Sequence, residues 1–475
     1  MRRLVKHFPL FLALTLAISI SLSAQQSSPE TSPPIHPIDS KNYTDPNQFA
    51  FLNGTLNGVD VVSLGESIHM SHEFPLVRLG IIRYLNENMG FHVLAMEGSA
   101  EDLWVAQDRF LNSPHTSADA EDSQKGLFGL WNTPEVRQLF EYEAGSWGSA
   151  NPFYITAYDI QPGSGSNSHG VDIFRMLAER LKKYAAAPQG FDVAQWTNDL
   201  APLTHICSEY QSSDEARVER AIQGLQTWIN IAAPKAQKCF PTIPHSVAMS
   251  LIPENLRASL QLCKDLSADN GKNYKAHRDT NAAPYTMDLK AAVPGQKLIL
   301  WAHISHISYN DEHGATSVGQ LLHASLGNRL YTIAPFAQSG GALMIFQGKG
   351  DDDIGYGRVH GEYGALGQHL AQLSRQDFFV DFRQTGITVG NDPIFVSHQP
   401  LWVESGRWPV AVARDFDGII WIRTVHAPDF KLVKLVVFSG MHYTTELEVL
   451  AAALVLGILY LIVRRARRRR RKQAA

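Results

Sequence analysis

Four apolar runs in this chain each lead to an ionisable side chain, and that pattern restricts the fold more than any other feature. Residues 59–64 lead to Glu66, 91–96 to Glu97, 152–158 to Asp159 and 298–302 to His303. Short runs of this kind read as strands buried on both faces. Between the first two, residues 72–87 carry helical spacing, so the segment reads as a βαβ unit with parallel strands. In parallel sheets and barrels, ligands bind beyond the carboxyl ends of the strands. The four ends are therefore expected to share one crevice. The expected fold class is α/β, with a central, mostly parallel sheet flanked by helices.

The rest of the body fits that frame. Residues 25–48 begin Ser- and Pro-rich and read as a flexible lead-in. After a Gly/Ser loop at 162–170, helical spacing in Phe174, Leu177 and Leu181, and again in Ile222, Leu225 and Ile229, marks 171–273 as a helical insertion or lid. A helix is expected over 317–326, with Ser317 as N-cap and Gly327 as its stop. Further strands are expected at 331–335, 342–347, 377–382 and 418–424.

Both ends carry targeting patterns. Arg2, Arg3 and Lys6 precede an apolar stretch at 8–22 and small residues near Ala24, so 1–24 reads as a signal peptide. The apolar run 449–463 is followed by seven arginines and Lys472, so 447–463 reads as a C-terminal transmembrane helix with a basic cytoplasmic tail at 464–475. A cleaved sorting signal has the same layout. The expected location is exported and membrane-anchored by that helix, with the body outside the cytoplasm. Without the three basic residues of the leader and eight of the tail, 42 basic residues fall to 31; the 46 acidic ones lose only Glu446 and Glu448, leaving about −13. A surface of that sign disfavours nucleic acid as a partner and favours cationic ligands. Cys207, Cys239 and Cys263 allow one disulfide and leave an odd thiol, with the pairing open.

The ionisable clusters carry the chemistry. Glu66 and His69 lie three apart where a strand gives way to a helix; a carboxylate beside an imidazole orients the ring and raises its basicity, which suits a general base toward water. Glu97 can orient the same ring or hold the water. His303 and His306, three apart after a buried run, can face one site from a tight turn. Arg78 lies among apolar helix residues, and a guanidinium there needs a carboxylate or a developing oxyanion as partner. Residues 65–69 nearly spell a serine nucleophile elbow, but Ile68 and His69 depart from it, which argues against Ser67 as nucleophile.

Residues 64–74 (Leu-Gly-Glu-Ser-Ile-His-Met-Ser-His-Glu-Phe), Arg78 nine residues after His69, Gly90-Phe91 ahead of Glu97, and Trp301-Ala302-His303-Ile304-Ser305-His306 together resemble the erythromycin esterase family. Supporting matches include 131–135, 158–161, Arg278-Asp279, Val318-Gly319 and 416–419, so the likeness runs from about 49 to 424 and 49–430 reads as one catalytic domain. The resemblance implies a metal-independent hydrolase acting on a small-molecule ester or lactone such as a macrolide. On this pattern His69 is the base, Glu66 and Glu97 tune and orient it, and Arg78, His303 and His306 position the ester and stabilise the oxyanion. Ile68, Met70 and Ile304 depart from the family pattern without altering the ionisable set. Two other readings stay open. One is a metal-dependent hydrolase, since the same glutamates and histidines form an N/O set that a divalent cation would accept; otherwise no cofactor is expected. The other is a non-catalytic envelope binding protein.

Overall fold

Every residue of Val61–Leu64, Tyr154–Asp159 and Leu298–Trp301 is buried, as strands covered on both faces must be. They belong to a computed structural model that describes residues 35–166, 170–310, 316–347, 352–383 and 393–430. The strands are β1 Ile35–Ile38, β2 Val61–Leu64, β3 Val93–Ser99, β4 Tyr154–Asp159, β5 Leu298–Trp301, β6 Leu330–Gln347, β7 Asp352–His360, β8 Asp377–Asp381, β9 Gln399–Val403, β10 Gly406–Val410 and β11 Gly418–Val425. Helices of eight residues or more are α1 Glu73–Met89, α2 Ala100–Leu111, α3 Ser117–Gln124, α4 Pro134–Ser146, α5 Asp172–Leu181, α6 Val193–Leu200, α7 Glu215–Cys239, α8 His245–Asp269, α9 Tyr274–Ala292, α10 Val318–Leu326 and α11 Ala365–Leu373.

The main sheet runs β1-β8-β11-β6-β2-β5-β3-β4, with β7 paired to β6. From β11 to β4 every neighbouring pair is parallel, while β8 and β1 add an antiparallel edge. The mostly parallel α/β sheet is thus present. The chain runs from β2 outward to β3 and β4, returns to β5 and then crosses to β6 on the other side of β2. The carboxyl end of β2 therefore lies where the winding reverses, the place where open parallel sheets leave a crevice.

Two differences follow from long-range pairing. The runs at 331–335 and 342–347 are one strand, β6: its first half pairs with β2 and β11, and its second half continues past the sheet to pair antiparallel with β7. Within the expected lead-in, β1 pairs with β8 and buries Ile38. Segment 171–273 is helical, as α5 to α8, and its apolar faces form a core with Trp104 and Val105 of α2 and Tyr154 of β4. Ser317 caps α10 by accepting from the N–H of Gln320, and Gly327 ends it with a φ of 52°.

The expected transmembrane helix and membrane-anchored location are corrected. Among the described residues no helix is long and apolar enough to cross a membrane. Segment 447–463 contains Glu448, and its uninterrupted part, 449–463, is 15 residues; that is about 22 Å of helix against a hydrocarbon core of about 30 Å. That segment, the 464–475 tail and the 1–24 signal reading lie outside the described residues, and nothing among the described residues supports export.

Candidate active site

The site begins where β2 stops. Gly65 donates its N–H to Ile333 O at 2.7 Å, and a Cβ there would meet Ile307 Cδ1 at 2.9 Å and Ile304 Cγ2 at 3.0 Å. Glycine lets the short turn Ile304–Ile307, which follows β5, close over the strand end. The N–H of Ile304 donates to Glu66 O at 2.9 Å, so the two histidine-bearing segments are stitched together.

His69 Nδ1 lies 2.7 Å from Glu66 Oε1, which places the proton on Nδ1 and leaves Nε2 to act on a ligand. Arg78, on α1 and buried, donates to the other oxygen of Glu66 and to Phe74 O at 3.1 Å, and its guanidinium lies 3.6 Å above the Trp301 ring. Arg78 thus backs Glu66 from beneath. Burial raises the Glu66 carboxyl, against the charges of Arg78 and His69. Burial also disfavours a charged His69, but the Glu66 hydrogen bond and the charges of Glu404, Glu66 and Glu97 outweigh it and raise the imidazole to about 9.

Glu97 lies within β3, at an irregularity in its pairing with β4. One oxygen accepts the N–H of His303 at 3.0 Å; the other is 2.8 Å from Arg278 Nη2 and 3.2 Å from His306 Nε2. Its carboxyl sits well below the ordinary range: burial works against this, and His306 and Arg278 prevail. His306 also places Nδ1 2.6 Å from Asp279 Oδ1. Held between two carboxylates, it is raised to about 9 despite its burial.

His303 is different. The N–H of Ser305 donates to its Nδ1 at 3.3 Å, so Nε2 carries the proton of the neutral ring. That N–H is buried and without a hydrogen-bond partner among the described residues. Burial, with His69 alongside, pushes its pKa well down. The rings of His69 and His303 lie 4.8 Å apart, with Trp131 edge-on to His69 and Trp408 edge-on to His303. A neutral donor thus stands beside a basic imidazole.

The six expected residues therefore share one end of the sheet, in two layers: Glu66, His69 and Arg78 on one side, Glu97 and His306 on the other, with His303 between. Ser67 is buried with its Oγ unpartnered among the described residues. Three further groups complete the cluster. Arg278 on α9 pairs with Asp159 at the end of β4, and Asp279 follows it. The Arg278-Asp279 pair sits in a helix far along the sequence from any strand end, so only the likeness to known sequences marked it. Glu404, in the β9–β10 turn, accepts the N–H of His69 at 2.7 Å; nothing local to its sequence distinguishes it from a solvated turn residue.

One grouping has the composition of a cation site: His69, His303 and Glu404 each bring a ligand atom to within 4.8 Å of the others. The donor chemistry does not fit. His69 has the backing carboxylate that a metal-bound histidine needs, but Ser305 occupies Nδ1 of His303 and leaves a proton, not a lone pair, on Nε2.

A parallel α/β sheet with imidazoles and carboxylates gathered at the carboxyl end of its central strand is an enzyme-type arrangement. The erythromycin esterase family model matches residues 86–425, and the chain belongs to that family, which implies hydrolase activity. The Bacillus subtilis (strain 168) protein named "Putative hydrolase YbfO" is 22% identical over 411 residues, spanning 82% of this chain and 89% of that protein. The Escherichia coli erythromycin esterase type I is 24% identical over 304 residues, spanning 58% and 70%. Among solved structures, a Bacillus cereus protein superposes with a TM-score of 0.63 at 16% identity, over 84% of this chain and 96% of that one. An erythromycin esterase mutant in its open conformation gives 0.56 at 17% identity, over 82% and 96%. At these identities the superpositions show the fold alone.

Proposed function

We propose that this protein hydrolyses a carboxylic ester or lactone by metal-independent attack of water, with His69 as general base. The observation that carries the reading is the polarised His69: Nδ1 bound to buried Glu66, itself backed by Arg78, with a neutral His303 N–H 4.8 Å away ring to ring. In this reading water gives its proton to His69 Nε2 and its oxygen attacks the carbonyl carbon. The oxyanion takes a hydrogen bond from His303 Nε2, a donor with no hydrogen-bond partner among the described residues. On collapse, His69 returns the proton to the leaving alkoxide. Glu66 fixes the ring and Arg78 acts through Glu66. Glu97 and His306 hold the loop that carries His303, the first through its backbone N–H.

The E. coli relative is named an erythromycin esterase, which makes a macrolide lactone the first compound to try, followed by simple esters and smaller lactones. With any substrate so found, His69→Ala should lower kcat by about 10²–10⁴, the usual contribution of a general base, and leave substrate binding measurable. Unchanged turnover would remove His69 from the role. Protein stripped of metal by chelation should keep its rate; loss restored by added Zn²⁺ or Mn²⁺ would overturn metal independence.

A further inference from the structure

Glu404 occupies the turn between β9 and β10, 335 residues from His69, with a φ of +48°. A residue with a Cβ is costly there, and turns that need this conformation favour Gly or Asn with the side chain in solvent. Here the side chain is instead turned inward and buried. The N–H of Glu404 donates to Ser67 O at 2.8 Å. Its Oε1 accepts from the N–H of His69 at 2.7 Å and its Oε2 from the N–H of Ile345 at 3.1 Å. His303 Nε2 lies 3.8 Å from Oε1. Strained backbone held in place by its surroundings is typical of functional positions.

The charges around His69 single this carboxylate out. Glu66, after β2, is paired with Arg78, and Glu97, in β3, is paired with Arg278 and His306. His303 and Trp131 face the ring as neutral groups. Glu404, from the hairpin, has no Lys or Arg against it among the described residues. A buried anion without a counter-ion is costly. His303 Nε2 is close, at 3.8 Å, but burial and the neighbouring His69 keep that ring neutral, so the group left to supply positive charge is His69, a ring nitrogen of which lies within 4.8 Å of the carboxylate.

We propose that Glu404 is a positioning residue of the hydrolytic reaction, its carboxylate serving as counter-ion to the imidazolium that His69 becomes on taking a proton from water. This rests on His69 being the base. When water attacks, its O–H bond breaks toward His69 Nε2 as its oxygen bonds to the carbonyl carbon, so positive charge develops on the ring while negative charge develops on the oxyanion. Glu404 takes no proton. It stabilises the ring's charge in a site shielded from water, where such an interaction is stronger than in bulk. Its hydrogen bond to the His69 N–H also makes the hairpin part of the base's support.

Glu404→Gln and Glu404→Asp, with unaltered far-UV circular dichroism, test this in the full chain. In ligand-free protein with isotope-labelled histidine, the His69 titration midpoint followed by NMR should fall by one unit or more in the Gln variant and stay near wild type in the Asp variant. In turnover, the acid limb of the pH–rate profile should move down by the same amount and the high-pH plateau should drop tenfold or more, with KM within twofold. A His69 midpoint unmoved in the Gln variant would overturn the counter-ion role. A midpoint that moves while the pH–rate profile does not would show that the electrostatics hold and that His69 is not the base, which overturns the reaction role.

Discussion

His69 and His306 are both raised to about 9, and they do so in different company. His69 has one nitrogen on a carboxylate and the other without a hydrogen bond among the described residues; His306 has both nitrogens on carboxylates. The first can exchange a proton with a ligand, while the second is a fixed cation. Because a base must be unprotonated, only about 1% of free enzyme is competent at pH 7 if His69 titrates near 9, by one tenfold step per unit. Turnover per free enzyme, kcat/KM, should therefore climb roughly tenfold per pH unit from 7 and level off above about 9; a profile flat from 6 to 9 would sink the assignment. His306 makes a prediction about stability. Its folded pKa lies above the ordinary 6.5, so the folded state holds the proton more tightly than the unfolded chain. That stabilisation is complete below about 6.5 and is lost as pH rises through about 9, on the order of 3 kcal/mol at most from about 1.4 kcal/mol per unit. His69, raised as far, adds a similar loss over the same range, so urea unfolding between pH 6 and 9.5 should show a slope to which both histidines contribute, and Asp279→Asn should reduce it by about the His306 share. The Glu66–His69 and His303–His306 pairs were legible because three-residue spacing at a strand end is a local signal. Arg278 and Glu404 were not, since their meaning depends on what packs against them.

At the scale of elements, Gly319 is the sharpest constraint. A Cβ on this residue of α10 would lie 2.0 Å from Ile307 O, backbone of the turn that carries His306. Gly319→Ala must push α10 and the Ile304–Ile307 turn apart, which should cost about 1–3 kcal/mol of stability and lower kcat more than it raises KM. A variant with wild-type melting temperature and activity would contradict that packing. The helical segment carries the covalent link: Cys207 pairs with Cys263 of α8, and Cys239 at the end of α7 is exposed and free. Nonreducing peptide mapping should recover Cys207–Cys263 and find Cys239 open to alkylation. With a sequence separation of 56 between the partners, Cys263→Ser should cost about 4 kcal/mol by loop entropy, read as a lower urea midpoint. Helix periodicity was readable along the chain because it is local. The pairing of three cysteines was not, since any two satisfy the same sequence. The 18-residue span of β6 was hidden for a related reason: its two halves answer to different partners, β2 and β11 in one and β7 in the other.

For the whole molecule, the order of strands decides what the ends of the chain do. Parallel strands were legible from their unbroken apolar runs, and with them the convergence of Glu66, Glu97, Asp159 and His303 on one edge. The antiparallel margin was not, because a four-residue strand such as β1 differs from a polar lead-in only by what lies beside it. There Ile35 to Ile38 register with Val380 to Asp377 of β8, His36 stacks on Phe51 with ring centroids 4.0 Å apart, and buried Tyr43 bonds Asp377 through its hydroxyl. β1 thus closes the edge of a strand whose central residues are Phe378, Phe379 and Val380, sequence prone to pair with another chain when uncovered. A protein beginning at residue 46 should accordingly unfold at lower urea than one beginning at residue 35. Losing the buried side chains of both Ile38 and Tyr43 predicts a deficit of about 3–6 kcal/mol at 1.5–3 kcal/mol per large buried side chain. The shorter protein should also aggregate on concentration, with light scattering rising where the longer one stays clear. Equal unfolding midpoints for the two would mean that β1 contributes nothing to the sheet, and that the edge at β8 is closed by other means.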